Sequence, residues 1–337
     1  MSKINIRIGF IGAGAIGSLF GGYIANIKSD IYNLSVTFFC KKVQMNAIKR
    51  KGLIIHKKKA IKEIKNIDAY ENEKNFEEKL IKDPNLKFNY IFLTTKAYDS
   101  EDALFQYKNI INSSKWLVIL QNGIGNEDIV SDYCSKLKIV RAITTNGAIL
   151  KEPGQLYHTG EGITKIGFPF LNNFNLENNK LEKASKDLVL LKDLLNLANL
   201  ETIIVKDIIK VSWEKVFVNV GINAIGTLTR LRNGQLLEFD GLKHFMGKAI
   251  NEAIQIAELK KIEFSRKDYI TLAFNVAKST AENENSMLQD IINGKTTEID
   301  FLNGRILKYA KELGIDVPIN EILTDLIKGL EYSILQV

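Results

Sequence analysis

The sequence predicts an α/β domain followed by an all-helical C-terminal domain. Apolar residues alternate from Ile4 to Phe10, as in a buried strand, and a glycine-rich turn and a helical run follow directly. Short β-branched runs and amphipathic segments then alternate as far as residue 206. Helical periodicity dominates afterwards. We therefore predict two domains, residues 1–206 and residues 207–337.

The first predicted strand is followed by six residues in the order G-x-G-x-x-G: Gly12, Ala13, Gly14, Ala15, Ile16 and Gly17. In such a turn the first glycine allows a tight bend, the second lets backbone approach a pyrophosphate, and the third lets the helix pack close to the strand. The helix N-terminus offers unpaired N–H donors to the anion. The pattern is typical of a Rossmann-type dinucleotide-binding domain, and the alternative is a glycine-rich turn of another doubly wound protein.

Leu34 to Phe39 predicts the second strand, and the end of this strand bears on the choice of cofactor. In an NAD-binding unit a carboxylate there bonds the adenosine ribose 2′-OH, whereas here Cys40, Lys41 and Lys42 follow. A lysine would attract the 2′-phosphate of NADP instead. We expect NADP(H) as the cofactor, with Lys41 as its phosphate contact; the alternative is that both lysines face water.

Two short apolar runs, Tyr90 to Thr95 and Trp116 to Leu120, predict further strands that lead to Lys96 and Asn122. Ligands of open α/β sheets bind beyond the carboxyl ends of the strands. Lys96 and Asn122 are therefore candidate ligand contacts, although each could also be a loop residue or a helix cap. The polar segment from Lys57 to Lys87 predicts a short antiparallel excursion and a surface helix.

The alternation of elements continues after the fourth strand. Ile139 to Thr145 predicts a strand, and Pro153-Gly154 predicts a turn between two short strands. Leu181 to Leu197 predicts an amphipathic helix, and Glu201 to Val205 a last strand. His158 could titrate near neutral pH, but a single histidine in a hairpin is more often structural, and we expect that here.

Composition argues against several classes of protein. The chain has 337 residues and a net charge of +7, but its lysines and glutamates are interspersed, which indicates solvated faces rather than a nucleic-acid surface. Two cysteines, Cys40 and Cys134, cannot build a disulfide framework, and no Cys/His cluster has metal-ligand spacing. We find neither a long apolar run nor a signal-peptide pattern, so we expect a cytoplasmic protein without membrane or metal partners.

The predicted helix Lys210 to Leu228 is apolar nearly all round, which predicts a buried helix. Within it, Lys215, Asn219 and Asn223 occupy positions i, i+4 and i+8 and share one face; we call these three residues the polar stripe. Asparagine is a mediocre helix former, and exposed faces favour Glu, Lys and Gln. We therefore interpret the polar stripe as functional, against the alternative of a solvated face.

Two further polar residues have structural explanations of their own. Ser286 is a plausible helix N-cap, with Gln289 at the matching N3 position. Glu298 falls in the predicted first turn of a helix that starts within Thr296 to Gly304, where a carboxylate complements the helix dipole.

Together these segments resemble the ketopantoate reductase (2-dehydropantoate 2-reductase) family. The likeness runs in order over most of the chain through GFIGAGAIG, TTKAYD, LQNGIGNED, EPGQLYHTG, WEKVFVNVGINAIGTL, SMLQD and TEIDFLNG. The resemblance implies an oxidoreductase that reduces 2-dehydropantoate to pantoate with NADPH, in pantothenate and coenzyme A biosynthesis. The segment from Lys57 to Lys87 has no recognisable match in the family pattern.

The resemblance also implies roles for single residues. Residues 12–17 would form the pyrophosphate loop, and Lys96, Asn122 and Ala148 would lie near the nicotinamide half of NADP. Lys215 matches the family's proton donor, and Glu298 its active-site glutamate, which would also contact the cofactor. The residues that would bind the substrate are Asn122, Asn219, Asn223, Asn233 and Ser286.

The implied chemistry suits these residue types. A positioned ammonium such as that of Lys215 can stabilise charge on a carbonyl oxygen and deliver the proton. A carboxylate such as that of Glu298 could hold the lysine or a substrate hydroxyl. The partner would be a small 2-oxo acid, and the chain would be a monomer or a homodimer. The alternatives are a reductase of another 2-oxo acid and a non-catalytic NADP-sensing regulator.

Overall fold

The computed structural model describes residues 3–83, 86–171, 178–264 and 268–335. The chain divides into two compact units. Unit 1 comprises Met1–Gln121 and Asn126–Ile208, and unit 2 comprises Asn122–Gly125 and Ile209–Val337. Unit 2 thus takes one four-residue loop from the N-terminal part of the chain.

Unit 1 is built on two β-sheets. Its strands are β1 (Ile4–Ile11), β2 (Tyr32–Phe39), β3 (Leu53–Lys57), β4 (Ala60–Ile64), β5 (Ile67–Tyr70), β6 (Tyr90–Leu93), β7 (Trp116–Ile119), β8 (Ile139–Thr144), β9 (Gly147–Glu152), β10 (Gln155–Gly160), β11 (Thr164–Gly167) and β12 (Thr202–Ile204). The main sheet has the order β12-β11-β8-β7-β6-β1-β2-β5, and the smaller sheet has the order β4-β3-β10-β9. From β8 to β5 all neighbours in the main sheet are parallel, while β11 runs antiparallel to β8.

Strands β6 and β7, in the middle of the main sheet, contain no charged residue because both faces of the sheet are covered there. On β6, Tyr90 and Phe92 join one hydrophobic cluster, whereas Ile91 and Leu93 join another. The helices of unit 1 are α1 (Ala15–Ala25), α2 (Lys42–Lys51), α3 (Glu73–Lys82), α4 (Ser100–Gln106), α5 (Lys108–Ser113), α6 (Asn126–Ser131) and α7 (Asn178–Leu197). This arrangement is the predicted doubly wound α/β fold.

The predicted main-sheet strands are present, with bounds within two residues of the expected ones. The predicted antiparallel hairpin, β3–β4, begins at Leu53, four residues earlier than expected, so the segment 57–87 contains its second strand together with the predicted helix, α3. The segment shows one further element. It also contains β5, a parallel edge strand of the main sheet that the sequence did not predict. Residues 84 and 85 of this segment lie outside the described residues.

Over its described residues, unit 2 is made of helices, as predicted. They are α8 (Ile208–Thr229), α9 (Asp240–Leu259), α10 (Tyr269–Ser279), α11 (Ser286–Ile292), α12 (Asn303–Leu313) and α13 (Pro318–Leu335). One hydrophobic cluster joins them, and it includes Trp213, Phe217 and Val220 of α8 together with alanines and isoleucines of α9. In the described part of the chain no helix is both long enough and apolar enough to cross a membrane.

Candidate active site

The glycine-rich turn lies between β1 and α1 in unit 1. Gly12 has a φ of 99°, in the left-handed region that favours glycine, and a Cβ there would lie 2.8 Å from the backbone nitrogen of Thr95. A Cβ on Gly17 would lie 2.1 Å from the Gly12 carbonyl oxygen, so only glycine lets α1 come this close. The Thr94 hydroxyl donates to that same oxygen at 2.6 Å. Close packing therefore fixes the turn at Gly12 and Gly17.

Gly14 differs from its two neighbours in the motif. A Cβ on Gly14 would meet no atom within 4 Å. Gly14 is also the N-cap of α1, and as a glycine it has no side chain that could cap the helix. The first turn of α1 contains no acidic residue. The positive end of the helix dipole therefore lies beside accessible backbone, which fits the pyrophosphate of a dinucleotide.

The other residues predicted to contact the cofactor in unit 1 lie on a strand or follow one. Lys41 is exposed and caps α2 directly after β2. Lys96 is half-buried and precedes a short 3-10 turn that follows β6. Ala148 is half-buried on β9, opposite His158 on β10. Lys41 and Lys96 thus lie at the carboxyl ends of parallel strands, whereas Ala148 belongs to the smaller sheet.

Gln121 is a buried residue of this region that the sequence did not single out. Its Nε2 donates to the backbone oxygen and the hydroxyl of Thr95, at 3.0 and 3.1 Å, and to the hydroxyl of Ser100 at 2.9 Å. These bonds brace the loop that carries Lys96. The position of Gln121 directly after an apolar strand was the available signal, because polar residues there meet at one edge of a parallel sheet.

In unit 2, Lys215, Asn122 and Glu298 form a hydrogen-bonded chain. Lys215 Nζ donates to Asn122 Oδ1 at 2.8 Å, and Asn122 Nδ2 donates to Glu298 Oε2 at 3.1 Å. Glu298 is 6% exposed, and the other two residues are half-buried. The amide turns its oxygen towards the ammonium and its nitrogen towards the carboxylate, so each charge meets the matching end of the amide dipole.

The loop that carries Asn122 is held by the backbone around Phe301. Gly123 has a φ of 85°, and a Cβ there would lie 2.4 Å from the Phe301 carbonyl oxygen. The backbone nitrogen of Ile124 donates to the same oxygen at 3.3 Å, and the Ile124 side chain is buried in the hydrophobic cluster of unit 2. Because Glu298 directly precedes the 3-10 turn that ends at Phe301, these contacts fix Asn122 beside it.

The polar stripe on α8 is not a solvated face. Lys215 and Asn219 are half-buried, and Asn223 is 6% exposed. Asn233, in the loop after α8, is also buried; its Nδ2 donates to the Thr280 hydroxyl at 2.9 Å, and its backbone nitrogen donates to Asn283 O at 3.0 Å. The structure thus offers one half-buried and one buried asparagine of the polar stripe on α8, and a buried asparagine in the loop that follows it.

The prediction that Ser286 caps its helix is wrong. The N-cap of α11 is Asn285, whose backbone is extended (φ −67°, ψ 162°) and whose Oδ1 accepts from the Leu288 backbone nitrogen at 3.0 Å. Asparagine caps a helix as well as serine does, so the cap shifts by one residue. Ser286 is the exposed first residue of α11, and its hydroxyl is not needed for capping.

The expected helical position of Glu298 also needs correction. Glu298 precedes a single 3-10 turn, Ile299–Phe301, and α12 begins only at Asn303. Leu302 has a non-helical conformation (φ −114°, ψ −105°) that separates the two. The dipole of a long helix therefore does not explain Glu298, whose carboxylate instead accepts a hydrogen bond from the amide of Asn122.

Comparison with known proteins identifies the family of this chain. The family described as "Ketopantoate reductase PanE/ApbA" matches residues 8–169, and its C-terminal counterpart matches residues 207–331. The 2-dehydropantoate 2-reductase of Pyrococcus horikoshii is 37% identical over 97% of this chain and 98% of its own. That of Archaeoglobus fulgidus is 31% identical over 96% and 98%. This chain belongs to the ketopantoate reductase family.

Solved structures share the fold of this ketopantoate reductase family member. D-mandelate dehydrogenase with NADH and anilino(oxo)acetate superposes with a TM-score of 0.84 and 27% identity, over 98% of this chain and 100% of that one. A PanE/ApbA family ketopantoate reductase from Ralstonia eutropha JMP134 gives a TM-score of 0.81 at 22% identity, with coverage of 98% and 100%, which supports the fold. The expectation of an oxidoreductase of this family is confirmed.

The histidine and the two cysteines considered in the sequence analysis of this ketopantoate reductase family member lie in surroundings that favour their uncharged forms. His158 Nε2 donates to Gly160 O at 3.0 Å, so its Nδ1 accepts from the Tyr23 hydroxyl at 2.8 Å, and burial lowers the His158 pKa. Burial raises the pKa of Cys40 to about 12 and that of Cys134 to about 11, which keeps both thiols protonated. Among the described residues, no group of three or more His, Cys, Asp or Glu could hold a metal ion.

Proposed function

We propose that this chain is an NADPH-dependent 2-dehydropantoate 2-reductase, which reduces 2-dehydropantoate to pantoate on the way to pantothenate and coenzyme A. The observation that carries the proposal is the chain from Lys215 through Asn122 to Glu298, which holds an ammonium group in a defined direction. The names of relatives that are 37% and 31% identical over nearly the full chain support the substrate.

In this proposal a nicotinamide dinucleotide supplies the hydride when it is bound. Lys215 stabilises the negative charge that develops on the keto oxygen and gives that oxygen a proton from Nζ, so that C=O becomes CH–OH. Asn122 orients Nζ through its 2.8 Å hydrogen bond. Glu298 accepts from the other end of the amide and thereby keeps Asn122 Oδ1 turned towards Lys215. Each of the three residues has a distinct task in one proton transfer.

The glycine-rich turn and two lysines are the proposed binding residues for the cofactor in unit 1. Gly14 offers accessible backbone to the pyrophosphate, and Lys96 follows β6 as a contact for the nicotinamide half. Lys41 follows β2 where an NAD-binding unit would have a carboxylate, and its charge favours the 2′-phosphate of NADPH. We therefore propose NADPH over NADH, although the similar D-mandelate dehydrogenase structure contains NADH.

Neutral amides and a hydroxyl are the proposed substrate contacts. Asn219 and Asn223 continue the stripe that begins at Lys215, and Asn233 lies in the loop after the same helix. Ser286 has an exposed position at the start of α11, where backbone N–H groups and the hydroxyl can meet a carboxylate. Asparagine can both donate and accept, which suits a substrate with keto and hydroxyl groups. We further propose a cytoplasmic enzyme without nucleic-acid or membrane partners, as a monomer or a homodimer.

A second candidate function is the reduction of another 2-oxo acid. The observation in its favour is the similarity to D-mandelate dehydrogenase, at a TM-score of 0.84 and 27% identity. A third candidate function is that of a non-catalytic NADP sensor. A sensor would not need the lysine of a largely buried helix to be oriented by an amide that a buried carboxylate holds in turn. The geometry therefore favours catalysis, and the experiment must identify which 2-oxo acid is the substrate.

The experiment is a panel of 2-oxo acids, with NADPH consumption followed optically. It contains 2-dehydropantoate, 3,3-dimethyl-2-oxobutanoate, which lacks only the hydroxyl group, and benzoylformate, the oxo acid of mandelate. We expect 2-dehydropantoate to give the highest kcat/KM. A higher value with benzoylformate would support the second candidate, and no turnover with any acid, despite NADPH binding, would support the sensor.

A further inference from the structure

Helix α8 contains Gly226 in its interior, where a residue at the start of another helix packs against it. Glycine is a poor residue for a helix interior, so Gly226 calls for a packing reason. A Cβ on Gly226 would lie 2.6 Å from Nδ2 of Asn285, the N-cap of α11. The absence of a side chain at Gly226 therefore makes room for the amide of Asn285.

The orientation of the Asn285 amide is fixed by its own helix. Its oxygen accepts from the Leu288 backbone nitrogen at 3.0 Å, and a flipped amide would place two donors against each other there. The same oxygen lies 3.4 Å from the hydroxyl of Thr227, which donates to the Asn223 carbonyl oxygen at 2.7 Å. Asn285 is 6% exposed, so this contact between α8 and α11 is buried.

This contact lies between two of the proposed substrate residues. Ser286 is the residue after Asn285, and Asn223 lies three residues before Gly226, about one helical turn away. We propose that Asn285 is a positioning residue: its amide, packed on Gly226, sets the position of Ser286 relative to Asn223. The inference rests on the proposed function, in which Ser286 and Asn223 contact the 2-oxo acid.

Three variants separate positioning from capping. Serine is a good N-cap but lacks the amide, so Asn285→Ser keeps the cap and loses the contact with Gly226. Gly226→Ala keeps Asn285 but adds the methyl group that displaces its amide. In the double variant, the methyl group of Gly226→Ala occupies the space that Asn285→Ser vacates. Steady-state kinetics with 2-dehydropantoate and NADPH binding are measured for each variant, together with thermal unfolding.

We expect each single variant to raise KM for 2-dehydropantoate about 10-fold, the equivalent of one lost hydrogen bond, with kcat nearly unchanged. NADPH affinity stays as in the wild type, because the glycine-rich turn belongs to unit 1. The double variant shows a KM increase smaller than the product of the two single increases, since the two positions share one contact. Gly226→Ala does not raise the Tm, although alanine is the better helix former.

The matched control is Asn72→Ser at the N-cap of α3, where Asn72 Oδ1 accepts from the Asn75 backbone nitrogen at 2.9 Å. This variant exchanges the same residue types at a helix start in unit 1, and its KM stays at the wild-type value. Unchanged KM in both Asn285→Ser and Gly226→Ala, or strictly multiplicative effects in the double variant, would overturn the proposal. If the wild type reduces a different 2-oxo acid, the proposed function fails, while the KM comparison with that acid still decides the role of Asn285.

Discussion

The Lys215 ammonium donates a 2.8 Å hydrogen bond to the side-chain oxygen of Asn122, 93 residues earlier in the chain. A lysine side chain is long and flexible, so a single direction of its charge requires a partner that is itself fixed. Asn122 is fixed from two sides, by the carboxylate of Glu298 and by a loop whose backbone packs on Phe301. These two hydrogen bonds thus fix the direction of the Lys215 ammonium, the proposed proton donor, without any help from a substrate.

The first prediction concerns Glu298, the buried residue at one end of the hydrogen-bonded chain. Glu298→Gln removes the charge but keeps an oxygen that can accept from Asn122 Nδ2, so we expect kcat to fall by about 10-fold, less than on removal of Lys215. The measurement is kcat at saturating NADPH and 2-dehydropantoate, with circular dichroism to confirm folding. A loss as large as that of Lys215→Ala would show instead that the carboxylate sets the charge of Lys215.

The second prediction concerns the glycine-rich turn. The side chain of Gly14→Val would begin at a Cβ with no protein atom within 4 Å, so we expect the Tm to stay close to that of the wild type. NADPH binding should be lost, because the side chain would occupy the place of the pyrophosphate. Gly241→Val is the matched control, because Gly241 also lies at a helix start with no atom within 4 Å of an added Cβ. Fluorescence titration measures the affinity. Wild-type affinity in Gly14→Val would show that the turn does not hold the pyrophosphate.

Gly17 provides the contrasting variant in the same turn. An added Cβ there would lie 2.1 Å from the Gly12 carbonyl oxygen, which is backbone and cannot move aside. Gly17→Ala should therefore lower the Tm itself. The two variants together distinguish a residue needed for the ligand from a residue needed for the fold.

The third prediction concerns the choice of cofactor. Lys41 is exposed after β2, and the neighbouring Lys42 is its natural comparison. Lys41→Glu should weaken NADPH binding about 10-fold or more while NADH binding changes little, because only NADPH carries the 2′-phosphate. The assay uses low salt, since exposed charges are screened at high ionic strength. A larger effect in Lys42→Glu would show that Lys42, and not Lys41, contacts the 2′-phosphate. Equal losses of NADPH and NADH binding in Lys41→Glu would show that this lysine does not contact the 2′-phosphate.

Much of the fold could be predicted because several of its strands are short, continuous apolar runs. Residues 90–93 and 116–119 are buried on both faces, so their sequences carry a strong signal. Strand β5 lacks this signal, since it is a four-residue edge strand, Ile67–Tyr70, with alternating exposure. Its place in the main sheet depends on pairing with β2, which no local pattern encodes.

The site residues illustrate a different limit. Spacing alone put Lys215, Asn219 and Asn223 on one face of a helix, because the helical repeat is local information. The link between Lys215 and Asn122 joins a helix to a distant loop, so only the tertiary structure gives its geometry. Capping of α11 was displaced by one residue because asparagine and serine stand side by side and cap about equally well.

The fourth prediction follows from that displacement. Since Asn285 caps α11, Ser286→Ala removes no capping bond, and we expect an unchanged Tm. If the hydroxyl contacts the substrate carboxylate, KM for 2-dehydropantoate should rise about 10-fold at a similar kcat. Thermal unfolding and steady-state kinetics on the same preparation measure both. A lower Tm with unchanged kinetics would return Ser286 to a structural role.

The last prediction concerns Lys215 as the general acid. Lys215→Ala should keep NADPH affinity, because the glycine-rich turn lies in unit 1, and should lower kcat by roughly 10² to 10⁴-fold, as is typical for the loss of a general acid. Lys215→Arg should not restore kcat, because arginine keeps the charge but does not release a proton at ordinary pH. The difference between the two variants therefore measures charge stabilisation separately from proton donation.

Binding and turnover of both variants are measured with the same folded protein, at saturating 2-dehydropantoate. Recovery of most of the activity in Lys215→Arg would mean that positive charge alone is required at this position and that the proton comes from another donor. Near wild-type kcat in Lys215→Ala would remove Lys215 from the mechanism altogether. The hydrogen bond to Asn122 would then be a structural contact that ties α8 to the loop at residues 122–125.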